Sequence, residues 1–573
     1  MTFPSPSPLR PPQYKGSIEQ ALYIPMHDGT RLAVDLYLPR GLAPETKIPA
    51  LFSATRYWRA QQLKAPFSWF LSLPDSARNF FTAFGYAILR IDMRGTGASE
   101  GNHPHPWSVT DLTDLYDLTE WVTQQPWSNG QVGGFGNSYQ ATTAEMLGAC
   151  GHPAVTSALV RFNEYDVYTD IAFPGGVPNE FMLTQWADYN RALDANQLPK
   201  SMSALEKILI KGVKPIGTNP IPKHANQQVD SALRHITFRD DLDPELAIRM
   251  DDISMFTRPT AHALDHWGSW FDAATANAVI HRFANNPRPQ RAVIGAWNHG
   301  ATQHVGAKEN PFPLLAQMKE SLRFFDNPPA TRELHYFTIF ENEWKSTPAF
   351  PPTDLTSTRF FFQPQSGLSS LLTPPQPADH YQTDFNASTG FNNRWQTELD
   401  QRPVKYAPIK GQLAYTSAPL EQDTEITGYP IVTLFVKSTH DDGNFFVYLE
   451  TIDEQGNAHY LTEGMLRAIH RKVSTDTPPY KQFVPYHSFK RKDAMPLIPG
   501  EVAELTFGLN PISALIRRGW KLRVSLSGAD KDTFGRIPLT GSPSVEILLG
   551  GEQGSFIEIP LKVRPDSQSS KKI

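Results

Sequence analysis

The chain has 573 residues, more than one hydrophobic core can hold, so we expect several folding units. Its 53 basic and 58 acidic side chains give a net charge of −5 with no long run of one sign, which argues against nucleic acid or a membrane surface as a partner. A single cysteine excludes an internal disulfide, and the sequence shows neither a signal-peptide pattern nor an apolar run of 18 residues. We therefore expect a cytoplasmic protein. A homo-oligomer is compatible with the sequence.

Residues 18–135 alternate between strand and helix patterns. Three short segments have strand character, namely Arg31–Leu38, Ile48–Ser53 and Tyr86–Ile91. Between and after them, Asp75–Phe84 and Asp111–Val122 have helical character, the second with apolar residues at helical spacing. Because strands that alternate with helices form a parallel sheet covered by helices, we predict such a sheet here.

The loop after the strand at 86–91 is rich in charge and glycine. Asp92 and Arg94 are predicted to form a buried structural pair at the sheet edge rather than to act in chemistry. His103 and His105 have no nearby cluster of carboxylates or cysteines, so this segment is interpreted as a loop and not as a metal site.

The segment Gln131–Gln140 has the outline of a nucleophile elbow. A short apolar strand runs into Gly136, Asn137 and Ser138, and a helix of small residues follows. In such an elbow the serine lies on a strained turn at the carboxyl end of a strand, and the next N–H, here that of Tyr139, points at the substrate oxyanion. The second glycine of the usual pattern is replaced by Gln140. By itself the segment is also consistent with an ordinary glycine-rich turn.

After the elbow the pattern changes twice. Aromatic and amphipathic segments punctuated by prolines predict a helical insertion that covers the active-site edge, strands return at Gln290–Gly295 and His335–Phe340, and short strands with little helix follow Pro352. These changes divide the chain into a first sheet part at 1–159, a helical cap at 160–265, the rest of the sheet at 266–353 and a β-sandwich at 354–573.

A serine hydroxyl is a weak nucleophile and needs a base and an acid that orients the base. The α/β-hydrolase order of serine, acid and histidine is satisfied by Asp272, which ends Gly268–Asp272, and by His299, which follows a strand-like run in a glycine-bounded loop. The rivals are Asp265 for the acid and three histidines for the base: His262, His266 and His304.

The chain resembles the CocE/NonD serine hydrolases, a family that includes cocaine esterase, α-amino acid ester hydrolases and X-prolyl dipeptidyl peptidases. The resemblance spans most of the chain and rests on these motifs: Met26–Asp35, Arg56–Tyr57, Asp92–Ser99, Gln125–Gly130, Gly136–Tyr139, Gly268–Asp272, Gly295–Gly300, Leu461–Arg467 and Gly519–Arg523. It implies an α/β-hydrolase domain with a helical cap insertion, followed by an all-β jelly roll of the galactose-binding type. The family's glycine three residues after the nucleophile is Ala141 here.

The resemblance also implies a role for each site residue. Ser138 would attack an ester carbonyl, His299 would carry the proton, and Asp272 would orient the imidazole. The oxyanion hole would consist of the Tyr139 N–H and the Tyr57 phenol, whose loss we expect to cost about 3 kcal/mol. No metal or organic cofactor is required. Two further aromatic residues, Trp58 and Trp270, either line the substrate pocket or pack in the core.

The sequence restricts the class of substrate only in part. The acidic residues that follow the triad aspartate in α-amino acid ester hydrolases correspond here to Ala274 and Thr275, which favours an uncharged carboxylic ester as the small-molecule substrate. Three acidic residues of the cap, Glu164, Asp166 and Asp170, stay candidates for binding a free amino terminus. The alternatives are therefore an X-prolyl dipeptidyl peptidase or amidase with the same triad, and an inactive hydrolase scaffold that acts as a binding protein.

Overall fold

A computed structural model of the chain describes residues 8–69, 75–103, 105–224, 236–242, 263–305, 312–397, 406 and 412–564. The first part of the chain contains twelve described strands: β1 Ser17–Pro25, β2 Arg31–Pro39, β3 Ile48–Thr55, β4 Gln61–Leu63, β5 Ala87–Asp92, β6 Ser128–Asn137, β7 Val155–Arg161, β8 Ile210–Val213, β9 Ala263–Ser269, β10 Gln290–Gly295, β11 Arg332–Thr338 and β12 Glu343–Thr347. Ten of them form one sheet, while β4 and β8 pair separately.

The order of the large sheet is β1-β2-β5-β3-β6-β7-β9-β10-β11-β12. Neighbours from β5 to β11 are parallel, and the pairings β1–β2, β2–β5 and β11–β12 at its ends are antiparallel. The central strands are buried along most of their length, as expected for parallel strands with helices on both faces. Because β6, β7, β9 and β10 are parallel neighbours, the loops at their carboxyl ends meet at one edge of the sheet.

The described helices are α1 Ser76–Ala83, α2 Val109–Thr123, α3 Tyr139–Ala149, α4 Ala187–Asp194, α5 Ala204–Leu209, α6 Thr275–Asn285 and α7 Leu314–Asp326. The two helices predicted before the elbow are present. Helix α1 begins after Asp75, whose side chain accepts the Arg78 N–H, and α2 begins with a capping box between Ser108 and Asp111. None of the described helices is both long and apolar enough to cross a membrane.

The insertion between β7 and β9 is only partly helical. It includes two short π-helical turns, Tyr168–Ala172 and Met182–Trp186, then α4 and α5, and the strand β8, which was not predicted. Because β7 continues to Arg161 and β9 begins at Ala263, residues 160–161 and 263–265 belong to the sheet rather than to the cap predicted at 160–265.

The carboxyl-terminal part consists mainly of β-strands in the segments that the structure describes, with two 3-10 turns at Ala468–His470 and Arg491–Asp493. Its strands are β13 Thr356–Gln363, β14 Gly367–Ser369, β15 Gln376–Gln382, β16 Leu413–Ser417, β17 Thr424–Gly428, β18 Ile431–Ser438, β19 Asn444–Ile452, β20 Ala458–Arg467, β21 Ala503–Gly508, β22 Ile512–Ile516, β23 Lys521–Ser527, β24 Ser544–Leu549 and β25 Phe556–Val563. Apart from the parallel pair β14–β16, all of their pairings are antiparallel. Apolar residues alternate inward along β24, as in a sandwich with one solvated face.

The two parts share backbone hydrogen bonds. The Ile339 N–H donates to the Ser513 carbonyl at 3.0 Å, and the Leu515 N–H donates to the Ile339 carbonyl at 2.9 Å. The predicted boundary at 353 lies between the end of β12 at Thr347 and the start of β13 at Thr356. The hydrolase sheet and the β-sandwich are therefore joined just beyond the end of β11.

Candidate active site

Ser138 occupies the strained turn that an elbow requires. It lies between β6 and α3 with φ 57° and ψ −130°, a conformation that L-residues with a side chain rarely adopt. Its N–H donates to the Arg161 carbonyl at 2.9 Å, which fixes the turn to the end of β7. A Cβ at position 136 would lie 2.3 Å from the Gln140 carbonyl carbon, so only glycine fits where α3 passes over the strand.

Asp272 and His299 meet at the same edge of the sheet. Asp272 lies in the loop after β9 and His299 in the loop after β10, and His299 Nδ1 is 2.9 Å from Asp272 Oδ2. Only 3% of His299 and 0% of Asp272 is exposed. Because an ionised carboxylate can only accept, His299 Nδ1–H donates to Asp272, which leaves Nε2 as the nitrogen that can exchange a proton with a nucleophile.

The surroundings of His299 act on its pKa in two directions. Burial alone would lower the pKa, but the charge and hydrogen bond of Asp272, together with the charge of Glu164, raise it above the ordinary value of 6.5. The imidazolium that forms when His299 accepts a proton is therefore stabilised in place.

The end of β7 connects the serine turn to the imidazole. Arg161, its last residue, accepts the Ser138 N–H, and Phe162, the next residue, has its ring edge-on to His299 at 6.0 Å between centroids. The Phe162 N–H donates to the Trp267 carbonyl of β9 at 2.8 Å. The ends of four neighbouring strands, β6, β7, β9 and β10, thus bring Ser138, Asp272 and His299 to the same edge of the sheet.

Tyr57, predicted to donate to the oxyanion, lies beside Tyr139. Its ring lies edge-on to the Tyr139 ring at 5.6 Å, and its phenol oxygen accepts the Trp186 Nε1–H at 2.7 Å. Because the oxygen already accepts a hydrogen bond, its own proton is directed elsewhere. Burial raises the pKa of Tyr57 above its ordinary value, so the phenol stays a neutral donor at physiological pH. Tyr139 begins α3, where the first N–H groups have no acceptor within the helix.

Comparisons with known proteins agree with this geometry. Residues 28–301 match the X-Pro dipeptidyl-peptidase (S15) family, and residues 318–557 match the X-Pro dipeptidyl-peptidase C-terminal non-catalytic domain. Proteins of Mycobacterium bovis and Mycobacterium tuberculosis named as serine esterases are 36% identical to this chain across 96% of both sequences. The chain belongs to this family of serine hydrolases.

Two further members extend the likeness. The cocaine esterase of a Rhodococcus species is 23% identical over 92% of this chain and 93% of its own length. A CocE/NonD family hydrolase from Staphylococcus aureus has the same fold, with a TM-score of 0.68 at 18% identity over 97% of this chain and 99% of that one. The α/β-hydrolase fold with a carboxyl-terminal β domain is therefore confirmed.

The β-sandwich of this family member contributes directly to the acid. Thr397, from the segment between β15 and β16, donates its hydroxyl to Asp272 Oδ1 at 2.9 Å. In the same segment Arg394 donates from Nε to the Ala273 carbonyl at 2.7 Å, and its own carbonyl accepts the Ala273 N–H at 2.9 Å. Both carboxylate oxygens of Asp272 thus have a donor, one from each domain.

Two tryptophans that the sequence did not single out surround the oxyanion tyrosines. Trp107 stacks on the Tyr139 ring at 5.5 Å and on the Trp186 ring at 5.9 Å. Trp107 lies in a loop and Trp186 in a π-helical turn, so neither follows a strand or helix period that would have marked it. These rings form an apolar wall beside Tyr139.

The structure gives the surroundings of the two tryptophans predicted as candidates for the pocket. Trp270 is fully buried and donates from Nε1 to the Phe337 carbonyl at 2.7 Å, which favours packing in the core over a place in the pocket. Trp58 donates to the Leu193 carbonyl at 3.3 Å and packs with Ala98. It also lines a groove beside α1 and α7.

The rival residues are engaged in structural contacts. Asp265 accepts from Arg291 Nε at 3.1 Å and from Trp267 Nε1 at 2.9 Å. His266 is hydrogen-bonded to Gln290 at 2.8 Å, and burial lowers its pKa to about 3. His304 lies edge-on to Phe337 at 4.8 Å, and His262 lies outside the described residues.

The charged loop after β5 is structural, but its pairing differs from the prediction. Asp92 pairs with Arg59 at 2.8 Å rather than with Arg94, and Arg94 reaches Asp114 at 2.9 Å instead. His103 is 3.2 Å from Asp111, and no group of three metal-ligating side chains occurs among the described residues. The difference arises because Arg59, which follows β3, is brought to β5 by the sheet rather than by sequence.

We predict that Thr397 acts as a positioning residue for Asp272. Thr397→Val keeps the shape but removes the hydroxyl, leaving a buried carboxylate oxygen without its donor. A hydrogen bond to a charged group contributes about 1.5–3 kcal/mol, so kcat should fall by roughly tenfold or more with little change in KM. Thr397→Ser is the matched control and should restore kcat. Wild-type kcat in the valine variant, or equal loss in both variants, would refute the role.

We also predict the direction of the pH profile. His299 must be neutral to accept a proton, and its pKa is raised, so kcat/KM should fall as pH drops through a midpoint above 6.5. In Asp272→Asn the carboxylate is lost and burial dominates, so an NMR titration of His299 should show a pKa below that of the wild type. An unchanged His299 pKa in this variant would mean that Asp272 does not hold the imidazole.

Proposed function

We propose that this chain hydrolyses carboxylic esters through an acyl-enzyme intermediate, with Ser138 as nucleophile, His299 as base and Asp272 as orienting acid. The observation that carries the proposal is the 2.9 Å contact between His299 and Asp272, at the edge of the sheet where the strained Ser138 turn lies. A binding protein would have no need of a strained serine beside a buried histidine and carboxylate, so the inactive-scaffold alternative is not favoured.

Each group has a defined part in the reaction. His299 Nε2 takes the Ser138 proton as Oγ attacks the carbonyl carbon, while Nδ1–H stays on Asp272. The Tyr139 N–H and the Tyr57 O–H donate to the oxyanion, and the imidazolium then gives its proton to the leaving alcohol. Water repeats the cycle on the acyl-enzyme and releases the acid. The Trp107 and Trp186 rings exclude water from the side of the oxyanion hole, which strengthens both donors.

The contacts of the cap favour an uncharged acyl group. Asp166 is paired with Arg239 at 2.8 Å. Asp170 accepts the Tyr165 N–H at 2.9 Å, and burial raises its pKa to about 7. These two carboxylates are therefore committed within the protein and unsuited to holding a substrate ammonium.

A second candidate function rests on Glu164. Its charge raises the pKa of both His299 and Tyr57, so this buried carboxylate lies within electrostatic range of both. A carboxylate there could bind the free amino terminus of a peptide, as an X-prolyl dipeptidyl peptidase requires. We prefer the esterase hypothesis because Ala274 and Thr275 follow Asp272, where an amino-ester hydrolase would have acidic residues.

The test is hydrolysis of p-nitrophenyl acetate, butyrate and octanoate beside the matched p-nitroanilides and an X-Pro p-nitroanilide. We expect turnover of esters, loss to background in Ser138→Ala, and wild-type rates in the control Ser157→Ala, a buried serine on the neighbouring strand. Equal activity in wild type and Ser138→Ala would overturn the proposal. Faster hydrolysis of the X-Pro anilide than of the esters would support the peptidase hypothesis in place of the esterase proposal.

A further inference from the structure

A groove of about 1020 Å³ lies on the face of the central sheet that carries α1 and α7. Its described lining includes apolar side chains from both helices and from β6, namely Phe81, Phe135, Leu314 and Met318. Five basic residues also line it, Arg59, Arg78, Arg90, Arg161 and Lys214, against two acidic ones, Glu19 and Asp75. The groove is therefore amphipathic and carries a surplus of positive charge.

Arg161 points its side chain toward this face. Residues of β7 alternate between the two faces of the sheet. Ser157 lies against Leu51 and the Gly133 position, and Leu159 belongs to the same core cluster as Phe81 and Phe135. Arg161 follows in the same register, and its guanidinium lies over the Trp267 ring with Cζ 5.4 Å from the centroid. Its side chain thus enters the groove from the floor.

The Arg161 guanidinium is buried without a counter-ion. The residue is 8% exposed, and its Nε and Nη1 have no hydrogen-bond partner in the part of the chain that the structure describes. Asp265, the acid whose charge reaches it, already binds Arg291 through both oxygens and Trp267 through one. Burial lowers the pKa of Arg161 to about 10, so it still carries its charge at neutral pH.

Three of the other basic residues in the groove each have a carboxylate partner within the chain. Arg59 pairs with Asp92, Arg90 with Asp75 and Lys214 with Glu19. A buried cation without an anion is costly, and a planar guanidinium matches a carboxylate through two parallel hydrogen bonds. No carboxylate among the described residues fills this position, which makes an external anion the candidate partner.

We propose that this groove binds an organic carboxylate, with the anion on the Arg161 guanidinium and an apolar body against Phe81, Phe135, Leu314 and Met318. The ligand is either a separate acid or the acid arm of a substrate. Because the Arg161 carbonyl holds the Ser138 N–H, the occupied groove lies directly beside the nucleophile turn.

Binding is tested by calorimetric titration of octanoate, with octanamide as the neutral control. Octanoate should bind Arg161→Gln about 10- to 100-fold more weakly than the wild type, because a charge-assisted pair is lost. Arg161→Lys keeps the charge and should lose less, and octanamide should not distinguish the proteins. Octanoate that binds wild type and Arg161→Gln equally would overturn the proposal and assign the unpaired donors to water.

A second variant covers the case in which Arg161→Gln does not fold. Leu314 is exposed at the first position of α7 on the groove wall, so Leu314→Glu should be tolerated there. Its negative charge should weaken octanoate binding several-fold relative to the matched Leu314→Gln. Equal affinity in these two variants would likewise overturn the proposal.

Measurement of KM for two substrates distinguishes a separate acid from the acid arm of a substrate. If it is the acid arm of a substrate, Arg161→Gln should raise KM for a p-nitrophenyl ester with a terminal carboxylate by a larger factor than KM for p-nitrophenyl octanoate. If it is a separate acid, the two KM values should change by the same factor while octanoate binding is lost. The calorimetry does not require turnover, so its failure is distinct from failure of the esterase proposal.

Discussion

The contact between the Asp272 carboxylate and the His299 imidazole is the interaction on which the rest of the site depends. Both groups are buried, and a buried carboxylate is stable only when its oxygens are fully hydrogen-bonded. His299 supplies one donor at 2.9 Å and Thr397 the other at 2.9 Å. The geometry therefore exists only when the loops after β9 and β10 and the segment from the β-sandwich are all in place.

This dependence gives the carboxyl-terminal domain a part in the chemistry. Its Arg394 binds the backbone of Ala273 on both sides, and Ala273 has a φ of 38°, which is strained for alanine. The surrounding contacts hold that strained residue next to Asp272. The β-sandwich thus fixes the direction of the Asp272 carboxylate, the proposed catalytic acid, and removal of this domain should lower kcat as well as stability.

Features governed by short-range patterns could be predicted from the sequence. The helix now observed at Ser76–Ala83, the strand at Gln290–Gly295 and the turn at Ser138 depend on neighbours within a few residues. Asp272 and His299 were predicted because chain order and motif restrict the choice, and the structure brings them into contact. The sequence did not predict a site role for Thr397, Trp107 or Trp186, because their contacts join segments that only the folded sheet brings together. Asp92 pairs with Arg59 and not with the predicted Arg94 for the same reason.

The central claim is that Ser138 is a nucleophile activated by His299. Its most direct test is labelling with a fluorophosphonate, followed by peptide mass spectrometry that identifies the modified residue and a time course for wild type and His299→Ala. The account predicts one adduct, on Ser138, formed at a rate that falls by orders of magnitude in His299→Ala. An adduct on another serine, or a rate independent of His299, would contradict it.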